Sequence, residues 1–130
     1  FNNNATIKNN IPTNFNVKSV PSYLDNILTN FITNSVRYKD PNRKPIITLS
    51  AVKKNNYSIL TIADNGLGID LEKHGKKLFG MYKTFHEHKD AKGIGLYITK
   101  NQIDAMNGKV EVTSKVGEGT EFKIFFNDKD

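Results

Sequence analysis

One carboxylate and two glycines stand at the end of an apolar run near the middle of the chain. Asp64 closes the run of residues 57–63, which reads as a buried strand, and Gly66 and Gly68 follow it. A carboxylate can accept a hydrogen bond from an amine, and residues without a Cβ let backbone and ligand approach closely. Because Asn65-Gly66 is also a common turn signal, the stretch predicts either a plain turn or the floor of a binding site.

A row of polar side chains accompanies a predicted helix over residues 19–38, which has Pro21 in its first turn and ends at Asp40-Pro41-Asn42. At about 100° per residue, one face of this helix is predicted to be core: Leu24, Ile27, Leu28, Phe31 and Ser35. A second row is spaced by four residues: Asn26, Asn30, Asn34 and Tyr38. Amides are neutral to unfavourable in mid-helix, so this row indicates either a solvated face or a ligand site at the core's edge.

A second pair of glycines, Gly93 and Gly95, opens another predicted helix that ends near Met106-Asn107-Gly108. Glycines at a helix start leave backbone N–H groups accessible, and such a helix start is a ready anion site. We therefore expect phosphate or another anion there.

The rest of the chain reads mostly as strands. The patterns predict hairpins from residues 44–53 with 57–64 and from residues 109–115 with 121–126, and short edge strands at residues 5–8 and 15–17. Residues 70–92 turn polar, with a short helix near residues 71–74 followed by a long loop that we interpret as a lid over the site. We expect an α/β two-layer sandwich, in which a mixed sheet of about five strands carries about three helices on one face.

The composition and net charge of the chain limit the classes of function that it can have. The chain has 130 residues, 37% of them hydrophobic and 25% charged, which suits one soluble domain. It has no cysteine, so disulfide and thiolate chemistry are excluded. The net charge of +6 suits an anionic ligand or an acidic partner, but the lysines are scattered and predict no nucleic-acid surface. No apolar run is long enough to cross a membrane.

Four pieces of sequence carry the candidate chemistry: Asn30-Phe-Ile-Thr-Asn34-Ser-Val-Arg37-Tyr38, Asp64-Asn-Gly66-Leu-Gly68, Lys92-Gly93-Ile-Gly95-Leu96 and Gly117-Glu-Gly119-Thr120. In order and spacing they resemble the N, G1, G2 and G3 boxes of the histidine kinase catalytic domain, of the gyrase, Hsp90, histidine kinase and MutL superfamily. Residues 79–85 are similar to its F box, and the resemblance covers roughly residues 21–126. It implies the Bergerat-type ATP-binding fold.

The resemblance also implies roles. Asp64 and Thr120 would bind the adenine amino group, Asn34 would be the Mg²⁺ ligand, and Tyr38 would lie against adenine or ribose. Arg37, where the family usually has Lys, would reach phosphate. The implied ATP contacts are Asn30, Asn34, Arg37, Tyr38, Asp64, Gly66, Gly68, Ile69, Lys92, Gly93, Ile94, Gly95, Leu96 and Thr120. Of these, Asn30, Asn34 and Arg37 are the expected catalytic residues.

Two further departures from the family pattern, and one superficial likeness, refine this interpretation. Ala91 stands where the G2 box usually begins with another glycine, so the resemblance does not define the path of the lid. Asn30 stands where ATP-hydrolysing relatives have a Glu, and an amide cannot act as a general base, so transfer is favoured over hydrolysis. His86-Glu87 superficially resembles a phosphoacceptor, but no helical pattern surrounds it, and His86 with His88 would make a weak metal site.

We therefore expect residues 1–130 to be one cytoplasmic catalytic domain that is not inserted in a membrane, a piece of a longer sensor histidine kinase that could itself be membrane-anchored. It would use ATP and Mg²⁺ to phosphorylate a histidine on another domain of the same parent, upstream of a response regulator. Two alternatives stay open: a related ATPase or anti-sigma-type serine kinase, and a non-catalytic module that works through protein contacts.

Overall fold

The computed structural model describes residues 5–17, 21–74 and 92–128. Its elements are β1 (Thr6–Asn9), α1 (Pro21–Arg37), β2 (Ile46–Lys54), β3 (Tyr57–Asp64), α2 (Leu71–His74), α3 (Lys92–Ala105), β4 (Lys109–Lys115) and β5 (Gly119–Asn127). The strands form one sheet in the order β1-β2-β3-β5-β4. Because β1 is parallel to β2 and the other neighbours are antiparallel, the sheet is mixed, which confirms the α/β prediction.

The helices α1 and α3 pack against one face of the sheet, and α2 adds a single turn. Ile27 and Phe31 of α1 are fully buried, and the Phe31 ring lies 4.6 Å from that of Phe122 on β5. The strands present alternate residues to this face, and in β5 the buried positions from Thr120 to Phe126 recur with a period of two. The predicted core face of α1 is confirmed, and it fixes the side from which the row of amides approaches the sheet.

Two turns are made by asparagines. Asn55 and Asn56 join β2 to β3 with φ angles of 52° and 69°, and Lys54 pairs with Tyr57 across this two-residue hairpin. At the end of α3, Asn107 takes the left-handed conformation with φ 59°, and the N–H of Gly108 donates to the carbonyl of Ile103. The left-handed residue that stops α3 is therefore Asn107, one position before the glycine.

Some predicted boundaries were wrong. Residues 15–17 form no strand: the N–H of Phe15 donates to the carbonyl of Pro12 in a turn, and β1 is the sheet edge on this side. Phe15 and Val17 instead line an apolar cavity between α1 and the sheet, so their apolar character reflects packing. β5 begins at Gly119, two residues earlier than predicted. The predicted lid and F box over residues 75–91, with His86, His88 and Ala91, lie outside the described residues.

Candidate functional site

Asp64 is the last residue of β3, the middle strand of the sheet. Its Oδ1 accepts the N–H of Gly66 at 2.9 Å and the N–H of Thr120, its partner on β5, at 3.3 Å. Two backbone donors on one oxygen fix the direction of the carboxyl group. The structure therefore brings together the two residues for which the family resemblance implies contact with the adenine amino group.

Burial raises the pKa of the Asp64 carboxyl above its usual 3.8, because removing the charged form from water is costly. The N–H groups of Gly66 and Thr120 partly oppose this rise, as does the nearby hydroxyl of Ser35. Ser35 is only 3% exposed, and its Oγ makes no well-aligned hydrogen bond with any described protein atom. The carboxyl group is thus held in a poorly solvated position where a ligand donor would be bound strongly.

The glycines after Asp64 are needed for the chain to pack against itself. A Cβ on Gly66 would lie 2.6 Å from the Tyr38 carbonyl oxygen, and one on Gly68, whose φ is +77°, would lie 2.2 Å from that of Lys115. The N–H of Leu67 donates to the Tyr38 carbonyl at 2.9 Å. The turn therefore packs tightly between the end of α1 and the β4–β5 hairpin. The two glycines serve this packing, as the plain-turn interpretation predicts.

Thr120 is oriented by a hydroxyl that the sequence analysis overlooked. Ser114 Oγ donates to the Gly119 carbonyl at 2.9 Å, accepts the N–H of Ile69 at 2.7 Å, and lies 2.8 Å from Thr120 Oγ1. Since the single proton of Ser114 is used on Gly119, the Thr120 hydroxyl donates to Ser114. The lone pairs of Thr120 Oγ1 are then left to accept a hydrogen bond beside Asp64.

The row of amides on α1 drifts towards the core as predicted. Asn26 is exposed, Asn30 is half-buried, and Asn34 is only 8% exposed. Asn30 Nδ2 donates to Thr99 Oγ1 of α3 at 2.7 Å, so it also ties the two helices together. Arg37 ends α1 as an exposed side chain, which suits a group that reaches for phosphate.

The G2 glycines lie in the first turn of α3, which begins at Lys92. The predicted site residues in this turn are Lys92, Gly93, Ile94, Gly95 and Leu96. Leu96 is 2% exposed and belongs to the core, so its contribution is to anchor the start of the helix. The backbone N–H groups in the first turn of a helix have no partner within the helix, and such a start is able to bind an anion.

Cavity size alone does not identify the site. A cavity of about 330 Å³ is lined by Asp64, Ser114 and Thr120 together with residues of the β4–β5 hairpin. A larger one, about 650 Å³, lies beside Lys39 and Arg43 and touches neither Asp64 nor Asn34. Within the described part of the chain, no three His, Cys, Asp or Glu side chains could jointly hold a metal ion. We therefore choose the cavity beside Asp64 and Thr120 as the candidate functional site because of the chemistry of these two side chains.

Two structurally important residues escaped the sequence analysis: Arg43 and Ser114. Ser35 was correctly predicted on the core face of α1, but its place beside the Asp64 carboxyl was not foreseen. Ser114 carried a detectable signal, because it occupies the helix-facing side of β4 in register with Val110 and Val112. Arg43 lies in the loop before β2 and looks like an ordinary surface cation in the sequence. Its contacts depend on loops that are distant in the chain, so no local pattern could reveal them.

Similar folds occur in solved histidine kinases. The mycobacterial sensor histidine kinase MprB superposes with a TM-score of 0.80 at 18% identity, covering 95% of this chain and 84% of that one. The catalytic domain of histidine kinase ThkA gives 0.82 at 17% identity, with 98% and 83% covered. Full-length ShkA, solved in complex with AMPPNP, gives 0.78 at 23% identity, covering 95% of this chain and 26% of that one. At these identities the likeness establishes the fold.

Sequence comparison identifies the family. The chain is 28% identical over 116 residues to the signal transduction histidine-protein kinase ArlS of Staphylococcus aureus, covering 87% of this chain. It spans only 25% of that relative's length. Residues 19–130 match the family described as histidine kinase-, DNA gyrase B-, and HSP90-like ATPase. This match includes α1, the Asp64 turn, α3 and the β4–β5 hairpin, and so the chain belongs to the family of histidine kinase-, DNA gyrase B- and HSP90-like ATPases.

Proposed function

We propose that residues 1–130 form the ATP-binding catalytic domain of a sensor histidine kinase. The observation that carries the proposal is the Asp64 carboxyl, buried at the strand end and fixed by the N–H groups of Gly66 and Thr120. A fixed acceptor in a poorly solvated position suits an aromatic amine such as that of adenine. Family membership and the histidine kinase relatives support the choice of ATP and of the kinase reaction.

The remaining site residues are assigned by their place around Asp64. The Thr120 hydroxyl accepts a second hydrogen bond from the base, and Tyr38, which follows α1, lies against the adenine or ribose. The turn of Gly66, Gly68 and Ile69 shapes the floor. The triphosphate is bound by Arg37 and by the first turn of α3, which includes Lys92, Gly93, Ile94, Gly95 and Leu96.

Asn34 fits a Mg²⁺ ion that is held chiefly by phosphate oxygens. Mg²⁺ in nucleotide sites usually takes few protein ligands, and a single neutral amide oxygen at 8% exposure can supply one of them. When bound, the ion would neutralise charge on the phosphates. The chain's own part is to hold the Asn34 amide at the core edge of α1, where it cannot rotate freely.

Transfer to another domain is favoured over hydrolysis. The Asn30 side chain is an amide engaged with Thr99, and an amide cannot take a proton from water. Catalysis would therefore rest on positioning and on charge neutralisation by Arg37 and the start of α3. The acceptor is a histidine on a separate phosphoacceptor domain of the same parent protein, with a response regulator downstream.

The catalytic domain would act in the cytoplasm. Among the described residues, no helix is long and apolar enough to span a membrane.

The decisive test is ATP and ADP binding by Asp64→Ala, measured by calorimetry. Losing a hydrogen bond to a charged group costs roughly 1.5–3 kcal/mol, so affinity should fall at least ~10-fold. Asp104→Ala, which removes an exposed carboxylate from α3, is the matched control and should bind as the unmodified chain does. Unchanged affinity in a folded Asp64→Ala variant would refute the site.

A further inference from the structure

The Arg43 guanidinium binds three backbone carbonyls from two separate loops. Its Nε donates to the Asn65 carbonyl at 2.7 Å, and its Nη2 donates to those of Gly66 at 2.9 Å and Gly117 at 2.8 Å. Asn65 and Gly66 form the turn after Asp64, and Gly117 lies in the β4–β5 hairpin. One side chain therefore fastens together the two loops that flank the Asp64 carboxyl.

The loop before β2 prepares Arg43 for this task. Asp40 Oδ1 accepts the N–H of Asn42 at 2.8 Å, and Asp40 Oδ2 lies 3.4 Å from Arg43 Nη1. The Asp40 carbonyl accepts the N–H of Arg43 itself at 3.2 Å. The carboxylate thus orients the guanidinium from one side while the carbonyls bind it from the other. Only arginine presents several donors in a planar fork, and a lysine at this position could not reproduce the arrangement.

The bond to Asn65 bears directly on Asp64. The Asn65 carbonyl and the Gly66 N–H belong to one planar peptide group and point in opposite directions. Arg43 binds the carbonyl of this group, and the N–H of the same group donates to Asp64 Oδ1. A donor on the carbonyl side both prevents the peptide from rotating and polarises its N–H.

From this chain of contacts we propose that Arg43 is a positioning residue for base recognition, which acts on Asp64 through the Asn65–Gly66 peptide. It touches no nucleotide atom itself. The proposal rests on the proposed function, because it assumes that Asp64 binds the adenine amino group. It adds that recognition of this amino group depends on a loop that lies outside all four sequence motifs.

Base discrimination separates positioning from plain stabilisation. Inosine triphosphate carries a carbonyl oxygen in place of the adenine amino group and cannot donate a hydrogen bond from that position. Although its N1–H is a donor, its binding should depend much less on the orientation of Asp64 than that of ATP does. In Arg43→Ala, and nearly as much in Arg43→Lys, ATP affinity measured by calorimetry should fall about tenfold, as for the loss of one ordinary hydrogen bond. Inosine triphosphate affinity should stay within about twofold. Lys44→Ala, which removes the neighbouring exposed cation, should change neither affinity.

A measurement without nucleotide tests the contact between Arg43 and the Asn65–Gly66 peptide separately from the proposed function. Amide hydrogen exchange of Gly66 should become about tenfold faster in Arg43→Ala and should be unchanged in Lys44→Ala. Equal losses for both nucleotides, or an unaltered Gly66 amide, would overturn the positioning role. If the unmodified chain binds ATP and inosine triphosphate equally, base recognition by Asp64 is wrong, while the exchange result still reports whether Arg43 holds the peptide.

Discussion

Burial makes the charged form of Asp64 unfavourable in the nucleotide-free domain, and the proposed function would use the same group to bind adenine. Burial disfavours its charge, and the backbone donors of Gly66 and Thr120 only partly offset that effect. The Ser35 hydroxyl stands close by without a well-aligned bond of its own. A carboxyl group held in this way is typical of sites where stability has been exchanged for recognition.

Replacing Asp64 by asparagine should therefore stabilise the nucleotide-free domain while weakening ATP binding. The folded-state pKa is raised, so the folded state holds the proton more tightly than the unfolded state does, and wild-type stability falls as pH rises through this window. The window begins near the usual value of 3.8 and ends at the raised pKa. The difference in free energy of unfolding between Asp64→Asn and the wild type should grow as pH rises through this window and stay constant above it. Urea unfolding at pH values from about 4 to about 8 measures this difference.

Asp104→Asn is the control for this experiment, because it changes the same functional group at an exposed position of α3. It loses only the ion pair with Lys100, and exposed pairs of this kind contribute about 0.3–0.5 kcal/mol. No stabilisation is expected. A wild-type protein that is more stable than Asp64→Asn at pH 8 would contradict the account of a charge kept at a cost.

Individual residues show which parts of the site could be predicted from the sequence and which could not. Asp64 could be recognised because a lone carboxylate at a strand end carries a local pattern, whereas Thr120 was assigned only through the resemblance of residues 117–120 to the G3 box. Their pairing, in register across β3 and β5, follows once the strands are aligned. Arg43 could not be recognised, since its role depends on Asn65 and Gly117, which lie 22 and 74 positions away.

At the scale of elements, the β4–β5 hairpin and the turn after β3 are folded onto each other. The N–H of Gly117 donates to the Leu67 carbonyl at 2.8 Å, and a Cβ on Gly119 would lie 2.0 Å from the carbonyl oxygen of Asp64. The close approach explains why β5 begins at Gly119, where alternation of side chains gives no signal. Conversely, the alternation within β4 and β5 predicted their central residues correctly, because packing on the helices decides those positions.

Two glycines of this hairpin provide a matched test of that contact. Gly117 and Gly119 both have positive φ, +86° and +138°, but a Cβ at Gly117 would meet nothing within 4 Å. Gly117→Ala should therefore cost only backbone strain, about 1–2 kcal/mol. Gly119→Ala adds an overlap with the backbone of β3 and should cost more than about 3 kcal/mol and weaken ATP binding as well. Urea unfolding and calorimetry measure the two effects, and similar costs for both variants would show that the contact is unimportant.

At the scale of the whole domain, the proposed sites would provide nucleotide binding but not the acceptor of a transfer reaction. Under the proposed function, its described residues would supply a nucleobase site at Asp64, a Mg²⁺-compatible amide at Asn34 and an anion site at the start of α3. They supply no base for water, since the corresponding side chain, Asn30, is an amide bonded to Thr99. The net charge of +6 favours ATP and an acidic partner surface alike. Nucleotide binding and phosphoryl transfer should therefore be separable.

The isolated chain should bind ATP but neither label itself with radioactive phosphate nor release phosphate at an appreciable rate. Transfer requires the acceptor nitrogen to lie about 3–3.5 Å from phosphorus and in line with the leaving oxygen, a position that a docked helix can hold. Adding a histidine-bearing helical domain from the same parent should restore labelling on that domain alone. Asn34→Ala should abolish the labelling, whereas Asn26→Ala, at the exposed end of the same row on α1, should not.

The label should be lost in acid, because phosphohistidine is hydrolysed there. An acid-stable product would instead indicate a serine kinase. Label on a histidine of this chain by itself, or vigorous phosphate release, would contradict the proposed division of labour.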